Sequence, residues 1–435
     1  MLEKAVIQQF LSLNKRSVLH MKMGELGRTV NLGVIGVGGR GWGQVEVLAQ
    51  MKDVCIKVIC DKHEDRVNNL IEYLHKENLV DYPIDGTLVD EEVLCRDDIE
   101  AVVIMSDWET HIDLAIRAMR HGKYVAMEVG GAASVNECWE MVRTAQQTGL
   151  DVMLLENCCY NNEEMALLNM VRSGVFGEIV HCKGGYQHDL RDEIGWGDEN
   201  RHYRLHNFLN RNGELYPTHE MGPIAKYLDL NYGNRMVSLV SMASKAVGMN
   251  DYLRRERPDC AHANATFREG DIVTTMIKCA NGETIVLTHD CTLPRPYSRG
   301  GHIQGTRGLW QEDNRRIYIE GEASEVIDGW LHVGVDDKEW MDKYKSDLWK
   351  EYEEFGLRGG HGGMDYLVFR GFIEALQQKT HFPIDVYDTA AWMAITALSE
   401  DSIANGSMPV AFPDFTDGKW MLRKDEAVGP YKLGK

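Results

Sequence analysis

The chain has 435 residues, of which 44% are hydrophobic and 26% are charged, a composition typical of a globular protein large enough for two domains. Its 67 acidic and 47 basic residues leave a net charge of −20, which argues against nucleic acid or an anionic membrane surface as the main partner. No run of about 20 apolar residues is present, so the sequence predicts no membrane-spanning segment.

The first 30 residues carry mixed charge and no apolar stretch that ends in a cleavage site, so they do not resemble a secretory signal. The ten cysteines show no CxxC spacing, which is typical of reduced thiols rather than of a disulfide framework. We therefore predict a cytoplasmic protein in which residues 1–30 form an extension outside the main fold. Within this extension, residues 2–13 fit a short amphipathic helix.

From Val30 onward, apolar strands and amphipathic helices alternate along the chain. The predicted strands are Val30–Ile35, Val54–Cys60, Ala101–Met105, Tyr124–Glu128 and Asp151–Leu155. The predicted helices are Gln44–Gln50, His111–His121 and Asn136–Thr148. Strict alternation of strand and helix predicts an α/β domain with a doubly wound parallel sheet, which we place at residues 31–157.

Beyond residue 157 the strands become longer, and apolar residues alternate with polar ones. These predicted strands are Ile179–His188, Arg235–Ala243, Ile272–Cys279 and Thr284–His289. Helices are predicted after Asn161, over Met364–Gln377 and over Thr389–Ala404. The alternation indicates a mostly antiparallel sheet with one open face, so we predict a second α/β domain that binds substrate at 158–420. Residues 421–435 are predicted to be a C-terminal tail.

A glycine-rich turn follows the first predicted strand and opens a helix. It fits the pattern GxGxxG, and its candidate cofactor-binding residues are Gly36, Gly38, Gly39, Arg40 and Gly41. Glycines here let the backbone approach a pyrophosphate at the helix N-terminus, where N–H groups are unpaired. Asp61 lies 20 residues past Gly41, at the end of the second strand, where a carboxylate accepts ribose hydroxyls and repels a 2′-phosphate. The sequence thus predicts NAD as cofactor, and the alternative is a glycine-rich turn without a ligand.

The stretch Ser106–Glu128 reads SDWETHIDLAIRAMRHGKYVAME. It resembles the Gfo/Idh/MocA dehydrogenases, whose second half-site runs N-x-x-H…A-L-x-x-G-K-H-V-x-x-E-K-P. His111 and Glu128 match this pattern, and the resemblance implies that they belong to the cofactor site. Val129 and Gly130 stand where that family has its catalytic lysine and a proline, which argues against simple alcohol–ketone turnover.

The rest of the chain is similar to glycoside hydrolase family 109, a branch that contains NAD-dependent α-N-acetylgalactosaminidases. Similar segments include Glu156–Tyr160, Tyr186–Arg191, Arg211–His219, Leu293–Arg299, Gly360–Asp365 and Asp385–Asp388. The resemblance covers roughly residues 31–420. It implies a Rossmann domain that binds NAD, a glycoside substrate ending in an amino sugar or hexose, and a homo-oligomer.

The resemblance also assigns roles to residues of the second domain. Tyr186 matches a base that removes the proton on sugar carbon 2, and His219 matches a group that takes the proton of the carbon 3 hydroxyl. The implied substrate contacts are Glu156, Arg204, Tyr216 and Tyr297. Strand alternation puts His188 on the face of Tyr186, where it can support the tyrosine. The pKa of tyrosine is ordinarily about 10, so we expect the cationic nicotinamide and Arg204 to lower it.

Without the resemblance, Tyr186 is more typical of a core tyrosine, and His219 is as typical of a structural histidine as of a catalytic one. With it, the sequence implies a retaining glycosidase that uses NAD with no net redox change, an exception to the usual pair of carboxylates. In this mechanism, transient oxidation at carbon 3 acidifies the proton on carbon 2. Removal of that proton expels the aglycone from carbon 1, and water then adds to carbon 1.

The predicted function is therefore an NAD-dependent α-N-acetylgalactosaminidase. Two alternatives stay open at this point: an NAD-dependent dehydrogenase of sugars or cyclitols, and a catalytically silent NAD- or sugar-binding protein. We expect no metal, because the spacing of His188, Asp189 and His219 matches no standard zinc motif. The sequence leaves open whether His361, in a glycine-rich loop, reaches the site.

Overall fold

The computed structural model describes residues 27–434 except 323, 324, 328, 357 and 358. The helix predicted over residues 2–13 lies outside this range. The strands are β1 (Val30–Ile35), β2 (Val54–Cys60), β3 (Asp85–Thr87), β4 (Ala101–Ile104), β5 (Tyr124–Met127), β6 (Val152–Leu154), β7 (Ile179–Gln187), β8 (Met236–Ala243), β9 (Ile272–Cys279), β10 (Thr284–Asp290), β11 (His302–Gly305), β12 (Gly308–Gln311), β13 (Arg316–Ile319), β14 (Glu325–Ile327), β15 (Trp330–Val333), β16 (Val335–Asp336) and β17 (Val410–Ala411).

The helices between these strands follow in chain order. They are α1 (Gly39–Ala49), α2 (Glu64–Lys76), α3 (Asp90–Leu94), α4 (His111–Arg120), α5 (Val135–Thr148), α6 (Asn162–Arg172), α7 (Arg191–Gly195), α8 (Arg204–Asn210), α9 (Thr218–Tyr227), α10 (Gly248–Glu256), α11 (Lys338–Tyr344), α12 (Asp347–Phe355), α13 (Met364–Gln378) and α14 (Val386–Ala404). Among the described residues, no helix is both long enough and apolar enough to span a bilayer.

The first sheet has six parallel strands in the order β3-β2-β1-β4-β5-β6. Its central strands are short apolar runs, because helices cover both faces of the sheet. This confirms the predicted doubly wound parallel sheet. The strand order reverses between β1 and β4, and ligands of such folds bind beside the carboxyl ends of strands at that point.

Some elements of this sheet carry no clear sequence signal. Strand β3 has three residues that are exposed or half-buried, so it shows no apolar pattern that could predict it. The helix predicted to begin at Gln44 begins at Gly39, because the glycine-rich turn itself forms its first turn, with Gly38 as N-cap.

The second sheet has nine strands in the order β16-β13-β12-β11-β7-β10-β9-β8-β17. Only β7 and β10 pair in parallel, so the sheet is mostly antiparallel, as predicted. Alternation along β9 buries Val273, Thr275 and Ile277 and exposes Thr274 and Met276. One face of the sheet packs against helices that include α9 and α14, and this packing places β7 beside α9.

Within the segment 421–435, which the sequence predicts to be a tail, the described residues 421–434 include side chains that pack against the rest of the protein. Tyr431 and Leu433 are buried, and the Tyr160 hydroxyl donates a hydrogen bond of 2.8 Å to the carbonyl of Tyr431. Its apolar residues are too few and too irregularly spaced to form a periodic pattern, so their burial is not visible in the sequence.

Candidate active site

A cleft of about 1160 Å³ extends from the glycine-rich turn to β7, α8 and α9. Twelve of the fourteen predicted site residues line it: Gly36, Gly38, Gly39, Arg40, Gly41, Asp61, His111, Glu128, Tyr186, Arg204, Tyr216 and His219. His361 lines it too. The cleft is thus one continuous space that joins the candidate cofactor residues to the candidate sugar residues.

The glycine-rich turn fits a pyrophosphate. Gly36 has φ +91°, and a Cβ there would collide with the backbone of Met105 and Ser106, while a Cβ on Gly41 would collide with the Gly36 carbonyl. Among the residues that the structure describes, none caps the N-terminus of α1 with its side chain, and the first turn of α1 holds no acidic residue. The unpaired N–H groups and the positive end of the helix dipole therefore face the cleft.

Asp61 lies at the end of β2 with its carboxylate at the cleft. One oxygen accepts the N–H of Val37 and the other accepts the N–H of His63, both at 2.9 Å. Each carboxylate oxygen keeps a second lone pair, so ribose hydroxyls can still donate to it. The residues present therefore fit a dinucleotide.

Arg40 and Glu128 form a network that joins distant parts of the chain. Arg40 Nε donates to Glu128 Oε1 at 2.9 Å, and its two terminal nitrogens bind both oxygens of Asp365 at 2.8 and 2.9 Å. His361 Nδ1 lies 2.8 Å from Asp365. Burial opposes ionisation of Asp365, but the bonds from His361 and Arg40 outweigh it and hold the pKa of that carboxyl well below its usual value. The sequence does not predict a role for Asp365.

His111 is buried at the start of α4, and its Nε2 lies 3.1 Å from the Ser106 carbonyl. Burial lowers the pKa of His111, so the ring is neutral near pH 7. Its Nδ1 finds no hydrogen-bond partner among the residues that the structure describes. His111 lines the cleft, so it stays a candidate for the cofactor site.

The departure at Gly130 has a structural reason. A Cβ on Gly130 would collide with the indole of Trp108, so no proline fits at this position. Trp108 packs against Tyr203 and Tyr216, with ring centroids 4.8 and 5.5 Å away. Val129 lines the cleft where the dehydrogenases have lysine. Trp108 does not line the cleft itself but packs against Tyr203 and Tyr216, which do, and the sequence does not single it out.

His219 lies in the first turn of α9, with its Nδ1 2.8 Å from Glu156 Oε1. Glu156 is 0% exposed, and although burial opposes its ionisation, the adjacent His219 outweighs this and lowers the pKa of Glu156. An ionised carboxylate only accepts, so Nδ1–H donates to it. Glu156 lies behind His219 and does not line the cleft, in contrast to the expected substrate contact.

Tyr186, on β7, packs against Tyr216 and His219 with ring centroids 4.5 and 5.6 Å away. Its hydroxyl lies 3.2 Å from His188 Nδ1, which agrees with the shared strand face. The expectation of a lowered tyrosine pKa is wrong for the protein alone: burial raises the pKa of Tyr186 to about 12, although Arg204 opposes the shift. Burial and Arg204 lower the pKa of His188, so this ring is neutral near pH 7 and can accept a proton.

Arg204 brings a positive charge to the sugar end of the cleft. Its guanidinium lies 5.3 Å from the Tyr216 ring and 5.4 Å from the Trp108 ring, and it pairs with Glu193. Tyr297 is 52% exposed and does not line the cleft. Its ring lies 5.2 Å from that of His188 and 6.4 Å from that of Tyr186, so it stands at the rim.

Potential metal ligands also occur here. Ligand atoms of Glu156, Cys158 and His219 lie within 4.8 Å of one another. The hydrogen bond between His219 and Glu156 already accounts for two of the three groups. A site without metal stays a prediction.

Comparison with known families decides the class of protein. Residues 160–422 match the family described as "Glycosyl hydrolase 109, C-terminal domain", and residues 30–155 match "Oxidoreductase family, NAD-binding Rossmann fold". The chain belongs to glycoside hydrolase family 109. This membership confirms the resemblance seen in the sequence and favours a glycosidase over the dehydrogenase alternative.

Two curated relatives match this family 109 protein over most of both chains. A protein of Tannerella forsythia named "Alpha-N-acetylgalactosaminidase" is 39% identical over 417 residues, which cover 91% of this chain and 88% of the relative. A "Glycosyl hydrolase family 109 protein" of Stenotrophomonas maltophilia is 40% identical over 421 residues, covering 92% and 91%. The protein is thus a glycoside hydrolase with an NAD-binding Rossmann domain.

Solved structures show the same fold at low sequence identity. An NAD binding oxidoreductase from Klebsiella pneumoniae has a TM-score of 0.67 and 16% identity, covering 89% of this chain and 99% of its own. Levoglucosan dehydrogenase in complex with NADH and levoglucosan has a TM-score of 0.65 and 17% identity, covering 89% and 100%. At this identity the likeness concerns the fold alone.

Proposed function

We propose that this family 109 glycosidase hydrolyses terminal α-linked N-acetylgalactosamine with retention of configuration and keeps NAD in its cleft throughout. The observation that carries the proposal is the single cleft that joins the glycine-rich turn to Tyr186, Arg204 and His219. The name of the Tannerella forsythia relative supports the choice of sugar. A cytoplasmic location and a homo-oligomeric state stay predictions.

The chain's own residues supply a site for NAD. The N–H groups at the start of α1 would hold the pyrophosphate, and Asp61 would accept the ribose hydroxyls. When bound, NAD supplies a hydride acceptor, and later a hydride donor, for sugar carbon 3.

His219 is proposed to handle the proton of the carbon 3 hydroxyl. Because Glu156 accepts Nδ1–H, Nε2 keeps its lone pair, and this nitrogen lies 3.5 Å from the Tyr216 hydroxyl at the cleft. The buried carboxylate holds the ring in this tautomer and stabilises the imidazolium once Nε2 takes a proton, as in other acid–histidine pairs. His219 and Glu156 thus provide the proton transfer that the dehydrogenases assign to a lysine and that Val129 cannot perform.

Tyr186 is proposed to remove the proton on carbon 2. With a pKa near 12, the free side chain is a phenol at neutral pH and not a phenolate. The hydroxyl can pass its own proton to the neutral His188 as its oxygen takes the carbon 2 proton, so no free phenolate has to accumulate. The guanidinium of Arg204 offsets the negative charge that develops on the substrate during this step.

A panel of nitrophenyl glycosides, assayed without added cofactor, tests the proposal. We expect the highest kcat/KM for the N-acetyl-α-galactosaminide, the substrate class in the name of the Tannerella forsythia relative, because a site that hydrogen-bonds a substrate group rejects analogues that lack it. Hydrolysis of other glycosides only would overturn the choice of sugar. No release from any glycoside, with net NAD reduction on free sugars or cyclitols, would favour the dehydrogenase, and neither reaction would favour a binding protein.

A further inference from the structure

The segment Trp196–Tyr203, here termed the strap, connects α7 to α8 and lines the nucleotide end of the cleft. Although it belongs to the second half of the chain, it shares this part of the cleft with Asp61 and with Leu88–Val89 of the Rossmann half. The strap therefore lies next to the place where the adenosine and pyrophosphate of NAD would bind.

Two consecutive residues of α2 hold the strap. The guanidinium of Arg201 binds both carboxylate oxygens of Asp65, at 2.9 and 2.8 Å, a bidentate geometry that fixes orientation as well as distance. Arg66 Nη2 donates to the carbonyls of Asn200 and Arg201 at 3.2 and 3.3 Å. The strap is thus bound to the Rossmann half through the Arg201 side chain and through its backbone carbonyls.

Arg66 also reaches the glycine-rich turn. Its Nη1 lies 3.8 Å from Asp61 Oδ2, and a Cβ on Gly38 would be only 3.3 Å from that nitrogen. One guanidinium therefore touches both the turn that fits the pyrophosphate and the backbone of the strap. The strap and the turn are separated by little more than the width of this group.

The opposite flank of the strap is anchored to the substrate half. Arg257 pairs with Glu199 and stacks on the Trp196 ring at 3.6 Å, and His262 Nε2 lies 2.8 Å from Asp198. Within the strap, Arg201 has φ +53°, a left-handed conformation that is uncommon for residues other than glycine. Such a conformation persists where surrounding contacts impose it, here those that aim the side chain at Asp65.

We propose that the strap retains NAD in the cleft between turnovers, with Asp65, Arg66 and Arg201 as its fastening residues. The inference rests on the NAD site of the proposed function. A cycle with no net redox change never needs to exchange its cofactor, so a fastened strap is compatible with turnover. A dehydrogenase that exchanges NAD and NADH with solution would have to unfasten these contacts in each cycle.

The release rate of NAD tests this proposal on the intact protein. The NAD-loaded protein is mixed with an excess of isotopically labelled NAD, and the unlabelled NAD still bound is quantified after denaturation. We expect release at least 10-fold faster from Arg201→Ala and from Arg66→Ala. The matched control is Arg120→Ala, which removes an arginine whose pair with Glu140 lies outside the cleft, and it should release NAD like the wild type.

Exchanging the charges of Asp65 and Arg201 distinguishes the loss of this ion pair from general damage to the fold. Asp65→Arg and Arg201→Asp should each accelerate release, and the two combined should slow it again because the pair is restored in reverse. Unchanged release in every variant would overturn the strap and leave the glycosidase proposal intact. A wild-type protein that neither contains nor takes up NAD would overturn the strap and the NAD site together. Faster release from the strap variants than from a wild type that lacks glycosidase activity would support the strap while removing the proposed function.

Discussion

The imidazole of His219 donates from Nδ1 to Glu156 Oε1 over 2.8 Å, and this carboxylate is wholly shielded from solvent. The two residues lie 63 positions apart, one just after β6 and the other at the start of α9. The bond fixes the tautomer of His219 and turns Nε2 toward the cleft. It is the relationship on which the proposed proton handling at carbon 3 depends.

Substitution Glu156→Gln keeps the size of the side chain and removes its charge, so the imidazolium of His219 loses its stabilising partner. We expect kcat to fall by about 100-fold, within the usual contribution of acid–base groups. NAD content should not change, because Glu156 lies away from the nucleotide end of the cleft. The control is Glu163→Gln, a half-exposed carboxylate paired with Arg315. Equal steady-state kinetics for the two variants would contradict the role of Glu156.

The dependence of activity on pH should report His188. Its pKa lies below the ordinary value of about 6.5 because of burial and of Arg204, so the ring accepts a proton from Tyr186 at neutral pH. We expect kcat/KM to fall as the pH drops below the pKa of His188, because the ring then becomes protonated and can no longer accept a proton. His188→Gln should lower kcat/KM at pH 7 and remove this acid limb, while His381→Gln, an exposed histidine paired with Glu426, should keep the wild-type profile. An unchanged limb in His188→Gln would contradict the proton relay.

Local patterns predict those features that depend on local chemistry. The glycine-rich turn, Asp61 and the shared face of Tyr186 and His188 follow from spacing and from the two-residue period of a strand. The raised pKa of Tyr186 does not follow, because it depends on burial by side chains from distant segments, such as Tyr216.

Long-range packing decides the remaining features of the site. The burial of Glu156 behind His219 requires α9 to lie against the end of β6, and no spacing rule states this. Likewise, the contact of Trp108 with Gly130 explains a missing proline only when both residues are seen together. The fastening of the strap by Asp65 joins the two halves of the chain and has no sequence signal.

Asp61→Asn should weaken NAD binding and relax discrimination against NADP. The amide keeps one acceptor oxygen where the carboxylate has two, so one of the bonds to Val37 and His63 is lost together with the charge. We expect Kd for NAD to rise by roughly 10-fold, equivalent to about 1.4 kcal/mol. Titration calorimetry on protein stripped of cofactor checks this, with Asp81→Asn on the exposed surface as control. An unchanged preference for NAD over NADP would mean that another residue binds the ribose hydroxyls.

Asp365→Asn should destabilise the fold at neutral pH and much less in acid. Asp365 is 2% exposed and Arg40 is 36% exposed, so the loss should be about 2 kcal/mol, below that of a fully buried pair. The folded pKa of Asp365 is depressed, so its stabilisation is complete above the ordinary value of about 3.9 and disappears as the pH falls toward the folded value.

Urea unfolding at pH 7 and pH 3 measures this difference between wild type and Asp365→Asn. Asp347→Asn, which removes an exposed carboxylate paired with Lys350, should be nearly neutral at both values. A loss of stability in Asp365→Asn that is the same at pH 7 and pH 3 would contradict the ion-pair origin.

Deprotonation at carbon 2 is tested most directly by hydrolysis of the nitrophenyl N-acetyl-α-galactosaminide in deuterated water without added cofactor. Deprotonation at carbon 2 by Tyr186 requires that solvent deuterium appear at carbon 2 of the released sugar, with retained configuration. Tyr186→Phe should hold NAD like the wild type and lose at least about 100-fold in kcat. We predict one deuterium at carbon 2, detected by mass spectrometry and NMR. Release of nitrophenol with no deuterium there would rule out deprotonation at carbon 2.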